Sequence, residues 1–137
     1  MNTSELTCGQ IEQILSDRIE ECYRQTFGDG LKSVSCHLFK ATLAIALERS
    51  MTPAEELLAA SGKDYSAELF RETLHKILQP CIQELVEEVF QTTAIDLLIA
   101  TNPKTGRTGS IVILEKAPKF QVRSSNCMEA TDNKTLS

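Results

Sequence analysis

The chain has 137 residues, is 42% hydrophobic and 24% charged, lacks Trp and carries a net charge of −5. That size and balance fit one globular domain with an aliphatic core and argue against wholesale disorder. No apolar run reaches the ~18 residues of a membrane span, and Met1 to Leu6 lacks the basic and apolar regions of a signal peptide, so a soluble, cytoplasmic chain is expected.

The charge is unevenly spread. Residues 1–100 sum to −8, whereas Lys104, Arg107, Lys116, Lys119 and Arg123 against Glu115 make residues 101–123 basic, at +4. An acidic body is unsuited to neutralising phosphates, so no nucleic-acid role is expected. The five cysteines (Cys8, Cys22, Cys36, Cys81, Cys127) are widely spaced and form no Cys-x-x-Cys. Neither a metal site nor a disulfide framework is expected from them; most fit small apolar core positions.

The first segment, to Phe27, places Ile11, Ile14, Leu15, Ile19, Cys22, Tyr23 and Phe27 at helical spacing. Thr7 with Gln10 can form a capping box, with Ser4 an equally good start, and Gly28 can end the helix. Two alternating segments follow. Val34, Cys36 and Leu38 share one face, and Leu43, Ile45 and Leu47 share another. A hairpin turning near residue 40 pairs Leu38 with Leu43, Cys36 with Ile45 and Val34 with Leu47. Because neither Lys40 nor Ala41 favours positive φ, a four-residue loop over 39–42 is expected rather than a two-residue turn.

Thr52-Pro53-Ala54-Glu55 is a strong helix start, with a side-chain cap, a proline that wastes no donor and a carboxylate at the positive end. That helix should cover 53–60 and stop at Ser61-Gly62. A longer helix is expected over 66–90, with the stripe Phe70, Leu74, Ile77, Cys81, Leu85 and Val89 widened by Leu78, Ile82 and Val86. It should be the most buried helix, kinked or broken at Pro80, which cannot donate to the Lys76 carbonyl. Strands are expected at 94–100 and 110–115, apolar on both faces, around a loop at 102–109. Residues 119–137 read as a disordered polar tail after a single 1–118 domain.

Together these elements predict an α+β fold. Its four-stranded, mostly antiparallel sheet is built from two helix-plus-hairpin units (α-β-β-α-α-β-β), with helices on one face. The uncovered face is a candidate homodimer surface, with His37, Phe39, Leu98, Val112 and Leu114 as interface residues. No catalytic constellation, metal site or cofactor motif emerges, and a non-enzymatic role is expected. Gly28-Asp29-Gly30 follows a helix and precedes a strand, the reverse of a phosphate-binding turn. Lys32, Arg71, His75, Lys104 and Arg107 are the candidate contacts for an anionic ligand or nucleotide, which makes a small-ligand sensor the alternative function.

The ordered set Tyr23, Phe27-Gly28-x-Gly30, Lys32-Ser33-Val34, the hairpin, Thr52-Pro53-Ala54-Glu55-x-x-Leu58, a long helix with Pro80 and a closing Lys104-Thr105-Gly106 hairpin resembles the MpsC family over about residues 5–117. Asp29 and Leu31 depart from the basic residue and proline usual in that family's glycine turn, and the step Glu48 to Met51 lacks its usual glycine. The resemblance implies an accessory protein acting with membrane ion or inorganic-carbon uptake machinery. It would be held peripherally at the membrane by a transport-protein partner, without inserting itself. No catalytic residue comes with the resemblance.

Overall fold

A computed structural model describes residues 2–28, 30–48 and 52–121. Helix α1 (Cys8–Phe27) leads into strands β1 (Ser33–Phe39) and β2 (Thr42–Glu48). Helices α2 (Pro53–Ala60) and α3 (Asp64–Phe90) follow, then strands β3 (Ala94–Asn102) and β4 (Arg107–Leu114). The strands form one antiparallel sheet in the order β1-β2-β4-β3, the predicted α+β architecture. Cys36, Leu38, Leu43, Ile45, Leu47, Val112 and Leu114 point from one face of that sheet into the helical layer. The helices therefore lie on one side.

The starts of α1 and α2 are set by reciprocal caps. Thr7 accepts from the Gln10 N–H while the Gln10 side chain accepts from the Thr7 N–H. Thr52 and Glu55 do the same for α2. At the other end of α1, Gly28 turns the chain at φ 84° while its N–H still bonds the Arg24 carbonyl. A left-handed φ of that kind is cheap only for glycine. The stripe Ile11, Leu15, Ile19 and Tyr23 is buried along the whole of α1. Each such side chain contributes roughly 1.5–3 kcal/mol by leaving water.

The first hairpin has the predicted register, Leu38 opposite Leu43 and Cys36 opposite Ile45. Its turn differs. Phe39 pairs with Thr42, so the connection is the two residues Lys40-Ala41, with Lys40 at φ 55°. The Lys40 ammonium lies 5.5 Å from the Phe39 ring centroid, a cation–π contact that favours the strained residue in place. The next strand adds a bond from the Leu114 N–H to the Ala41 carbonyl.

Helix α3 departs from its expected burial. It runs as one helix through Pro80, so no break occurs there, and its buried residues begin only at Leu74. Phe70 and Ile77, expected on the core stripe, are 37% and 48% exposed, and none of the first ten residues of α3 is fully buried. It is α1, not α3, that is buried from end to end. The reason is reach: the sheet ends beneath the middle of α3, where His75 meets Thr101 at the end of β3.

The second hairpin is longer than expected. Arg107 and Thr108 belong to β4, and Thr101 and Asn102 to β3, leaving a turn of only Pro103 to Gly106. The Asn102 side chain accepts from the Lys104 N–H, and Gly106, at φ 75°, donates to the Asn102 carbonyl. A bulge interrupts β3 between Ala94 and Asp96.

The cysteines correct the sequence reading. Cys22 of α1 and Cys81 of α3 are paired as a disulfide across 59 residues, a juxtaposition that only helix packing creates. Cys36 keeps a free, buried thiol, and burial pushes its pKa up to about 11. The described chain continues past residue 118: the Gln121 N–H bonds the Leu6 carbonyl, the Thr3 hydroxyl bonds the Lys119 carbonyl, and Phe120 packs on the core. The rest of the expected tail, 122–137, and Asp29 of the glycine turn lie outside the described residues.

Candidate functional site

Two surfaces collect the residues with functional potential. The first is the sheet face opposite the helices. Cross-strand pairing aligns His37, Ala44, Ile111 and Leu98 in one row and Ser35, Ala46, Gly109 and Ala100 in the next. Phe39, Thr42, Ile113 and Asp96 form a third. Phe39, Ile111 and Leu98 are 40%, 36% and 59% exposed. Alanine, serine and glycine between them give a low floor flanked by aliphatic and aromatic side chains. Arg107 and Glu48 close one end, the Arg107 Nε–H being shared between the two Glu48 carboxylate oxygens at 2.9 and 2.8 Å. Contiguous apolar surface rimmed by polar groups is characteristic of protein contact sites.

The second is a cleft of about 600 Å³ between α2, the N-terminal half of α3, and the end of β3 with its turn. Its floor is the Glu55–Arg71 pair, bidentate at 2.6 and 2.5 Å, with side chains 2% and 12% exposed. Glu55 thus serves twice, capping α2 through Thr52 and tying α2 to α3. His75 shares a 2.8 Å hydrogen bond with the Thr101 hydroxyl, which in turn meets the Thr108 hydroxyl at 2.6 Å. Burial, then the neighbouring Arg71 charge, hold the His75 pKa below its ordinary value. Burial raises that of Tyr23, which feels the same Arg71 and Glu55 charges. Lys104 stands at the rim.

Of the five cations expected to meet a ligand, Arg71, His75 and Lys104 come together in this cleft. Arg107 is on the outer side of the turn, engaged by Glu48, and Lys32 is exposed at the start of β1, where its backbone N–H bonds the Glu48 carbonyl. Since Glu55 neutralises Arg71, the mouth of the cleft is set by Asp64, Glu68 and Glu72 against Lys104. A multiply charged anion is repelled there, whereas a cationic or zwitterionic molecule is not.

Of the expected interface residues, His37, Phe39 and Leu98 lie on the uncovered face. Val112 and Leu114 do not: they are 0% and 2% exposed, inside the core, and Ile111 and Ile113 hold the outward positions. Residues 111–114 are apolar on both faces, so alternation marked two sides without saying which faces the helices. The Glu55–Arg71 pair had no local signal either, because the partners lie 16 residues apart on different helices. Among the described residues no group of His, Cys, Asp and Glu is arranged to hold a metal ion.

The model of one protein family matches residues 7–116, described as Na+-translocating membrane potential-generating system (MpsC). The chain belongs to the MpsC family. No curated protein and no solved structure matches it. Among the described residues of this MpsC-family chain, no helix is long and apolar enough to cross a membrane.

Proposed function

We propose that this MpsC-family chain is a non-enzymatic, homodimeric accessory subunit that docks on membrane machinery for ion or inorganic-carbon translocation. It would be peripheral, on the cytoplasmic side. The observation that carries this reading is the uncovered apolar sheet face around Phe39, Ile111 and Leu98, in a family named for Na+ translocation. An accessory subunit of an ion-translocating system works through protein contacts, and this face is the surface suited to them.

The test is capture of polytopic transport subunits from detergent-solubilised membranes at low salt, with Na+-dependent potential measured in vesicles prepared with and without the chain. Wild type is expected to retain those subunits and to change the potential; Ile111→Asp and Phe39→Asp should lose both effects. Failure of wild type to capture any transport subunit would overturn the reading.

The cleft supports a narrower second reading, a small-ligand sensor whose ligand lies between His75 and Lys104 on one side and Asp64, Glu68 and Glu72 on the other. A ligand that binds only the folded state raises the melting temperature. Its acidic mouth predicts shifts with amines or zwitterions larger than with phosphate or nucleotides. No shift with any of the four classes would remove the sensor.

A further inference from the structure

The two outer edges of the sheet are finished differently. β1 and β3 are the edge strands, each with one side unpaired. On β1 one outward group near the turn is capped by a charge: the Leu38 N–H donates to the Glu12 carboxylate of α1 at 2.8 Å. A charged side chain on an edge is a common means of blocking further strand addition.

β3 has no such block. The Ser110 hydroxyl donates to the Leu98 carbonyl, and the Leu114 N–H points to Ala41 in the β1–β2 turn. Even-numbered positions of β4 therefore face β2 and odd-numbered ones face β3. Leu98 and Ala100 accordingly bond β4, and the backbone groups of Leu97, Ile99 and Thr101 point outward. No described residue bonds the backbone of these three along that edge. The strand is nine residues long, and its side chains Ile95 and Leu98 are 62% and 59% exposed.

We propose that the β3 edge pairs antiparallel with β3 of a second copy of this chain, joining two four-stranded sheets into one. The inference deepens the homodimer proposed above and rests on that reading; it moves the self-contact from the sheet face to its edge and leaves the face around Phe39 and Ile111 for the transport partner. The occupant is a second copy because β3 is complementary to itself. With the two-fold axis at Leu98, Leu97 lies opposite Ile99 of the other copy, and Asp96 lies opposite Ala100. Asp96 is the only charge on the strand, so this register opposes no like charges. The outward backbone groups of Leu97 and Ile99 exchange hydrogen bonds across the axis. The two Leu98 side chains meet as a non-hydrogen-bonded pair, the closest geometry in an antiparallel ladder.

The test combines solution mass with cross-linking. Light scattering on wild type should give twice the 15.2 kDa of one chain, at concentrations up to about 500 µM because a small interface binds weakly. Leu98→Lys places two ammonium groups face to face and should weaken the dimer tenfold or more; Leu98 is exposed, so its core is untouched. Leu98→Cys should form a covalent dimer under mild oxidation, and Ile111→Cys, one strand further in, should not. Monomeric wild type would overturn the proposal. So would cross-linking at Ile111→Cys as efficient as at Leu98→Cys, which would return the contact to the sheet face. Either result leaves the accessory reading to be decided by membrane capture.

Discussion

The chain repeats one plan, a helix followed by a hairpin, and carries it out twice with different completeness. In the first unit the inner stripe of α1 is buried from Cys8 to Tyr23 and its Glu12 caps the Leu38 N–H on the outer edge of β1. In the second, α3 has no fully buried residue before Leu74, its early turns are tied down through the Glu55–Arg71 pair, and no described residue bonds the outward backbone of Leu97, Ile99 and Thr101. The first unit is a scaffold that satisfies itself. The second leaves unfinished surface, and both the cleft and the proposed pairing edge belong to it. Hydrophobic periodicity was alike in the two units; the difference lies in which polar groups meet.

Removing Glu55 should break this contrast most severely. Glu55→Ala takes the bidentate carboxylate from a guanidinium that is 12% exposed, and losing one partner of a buried pair costs about 3–5 kcal/mol. Denaturant unfolding should show that loss, and Glu55→Leu with Arg71→Met should recover much of it. The next test compares the helices. Ile19→Ala in α1 removes a side chain with no exposure and should cost about 2–5 kcal/mol. Ile77→Ala in α3 removes one that is 48% exposed and should cost well under about 1 kcal/mol. Equal losses would mean that α3 is packed as fully as α1.

Glu12→Ala should make the first unit resemble the second. Loss of the partly buried bond to the Leu38 N–H is expected to cost about 1 kcal/mol. It also opens a second edge, so light scattering should show assemblies larger than the dimer. If association is unchanged, Glu12 is not what keeps β1 closed.

The smallest effect is a pH dependence confined to the cleft. His75 has its folded pKa lowered below 6.5 by burial and Arg71, with Glu55 and Glu72 opposing. The unfolded chain therefore binds the proton more readily, and His75 lowers stability as pH falls through 6.5 toward its folded pKa. Above that window it has no effect. His75→Gln should flatten melting temperature against pH there, and an unchanged slope would assign the acid sensitivity elsewhere.

Much of the framework was legible in local sequence. The pairing of Leu38 with Leu43 follows from alternation in Val34–Leu38 and Leu43–Leu47, since a one-residue slip would turn every apolar side chain outward. Thr52-Pro53-Ala54-Glu55 marked the start of α2 because a cap, a proline and a carboxylate act within four residues. Short-range effects of this kind are written in order along the chain. The turn at Lys40-Ala41 was misjudged for the converse reason: its positive φ is offset by contacts from Phe39 and Leu114 that turn propensity does not include.

Sequence by itself therefore determined the elements, their order, the first hairpin's register and the family. Only the tertiary structure decided the strand order β1-β2-β4-β3, the inward turn of Val112 and Leu114, the Glu55–Arg71 floor, the Cys22–Cys81 link and the closed and open edges. Each depends on groups far apart in the chain, or on a strand apolar on both faces. Which partner or which face prevails there is set by long-range packing, because local pattern favours several arrangements equally.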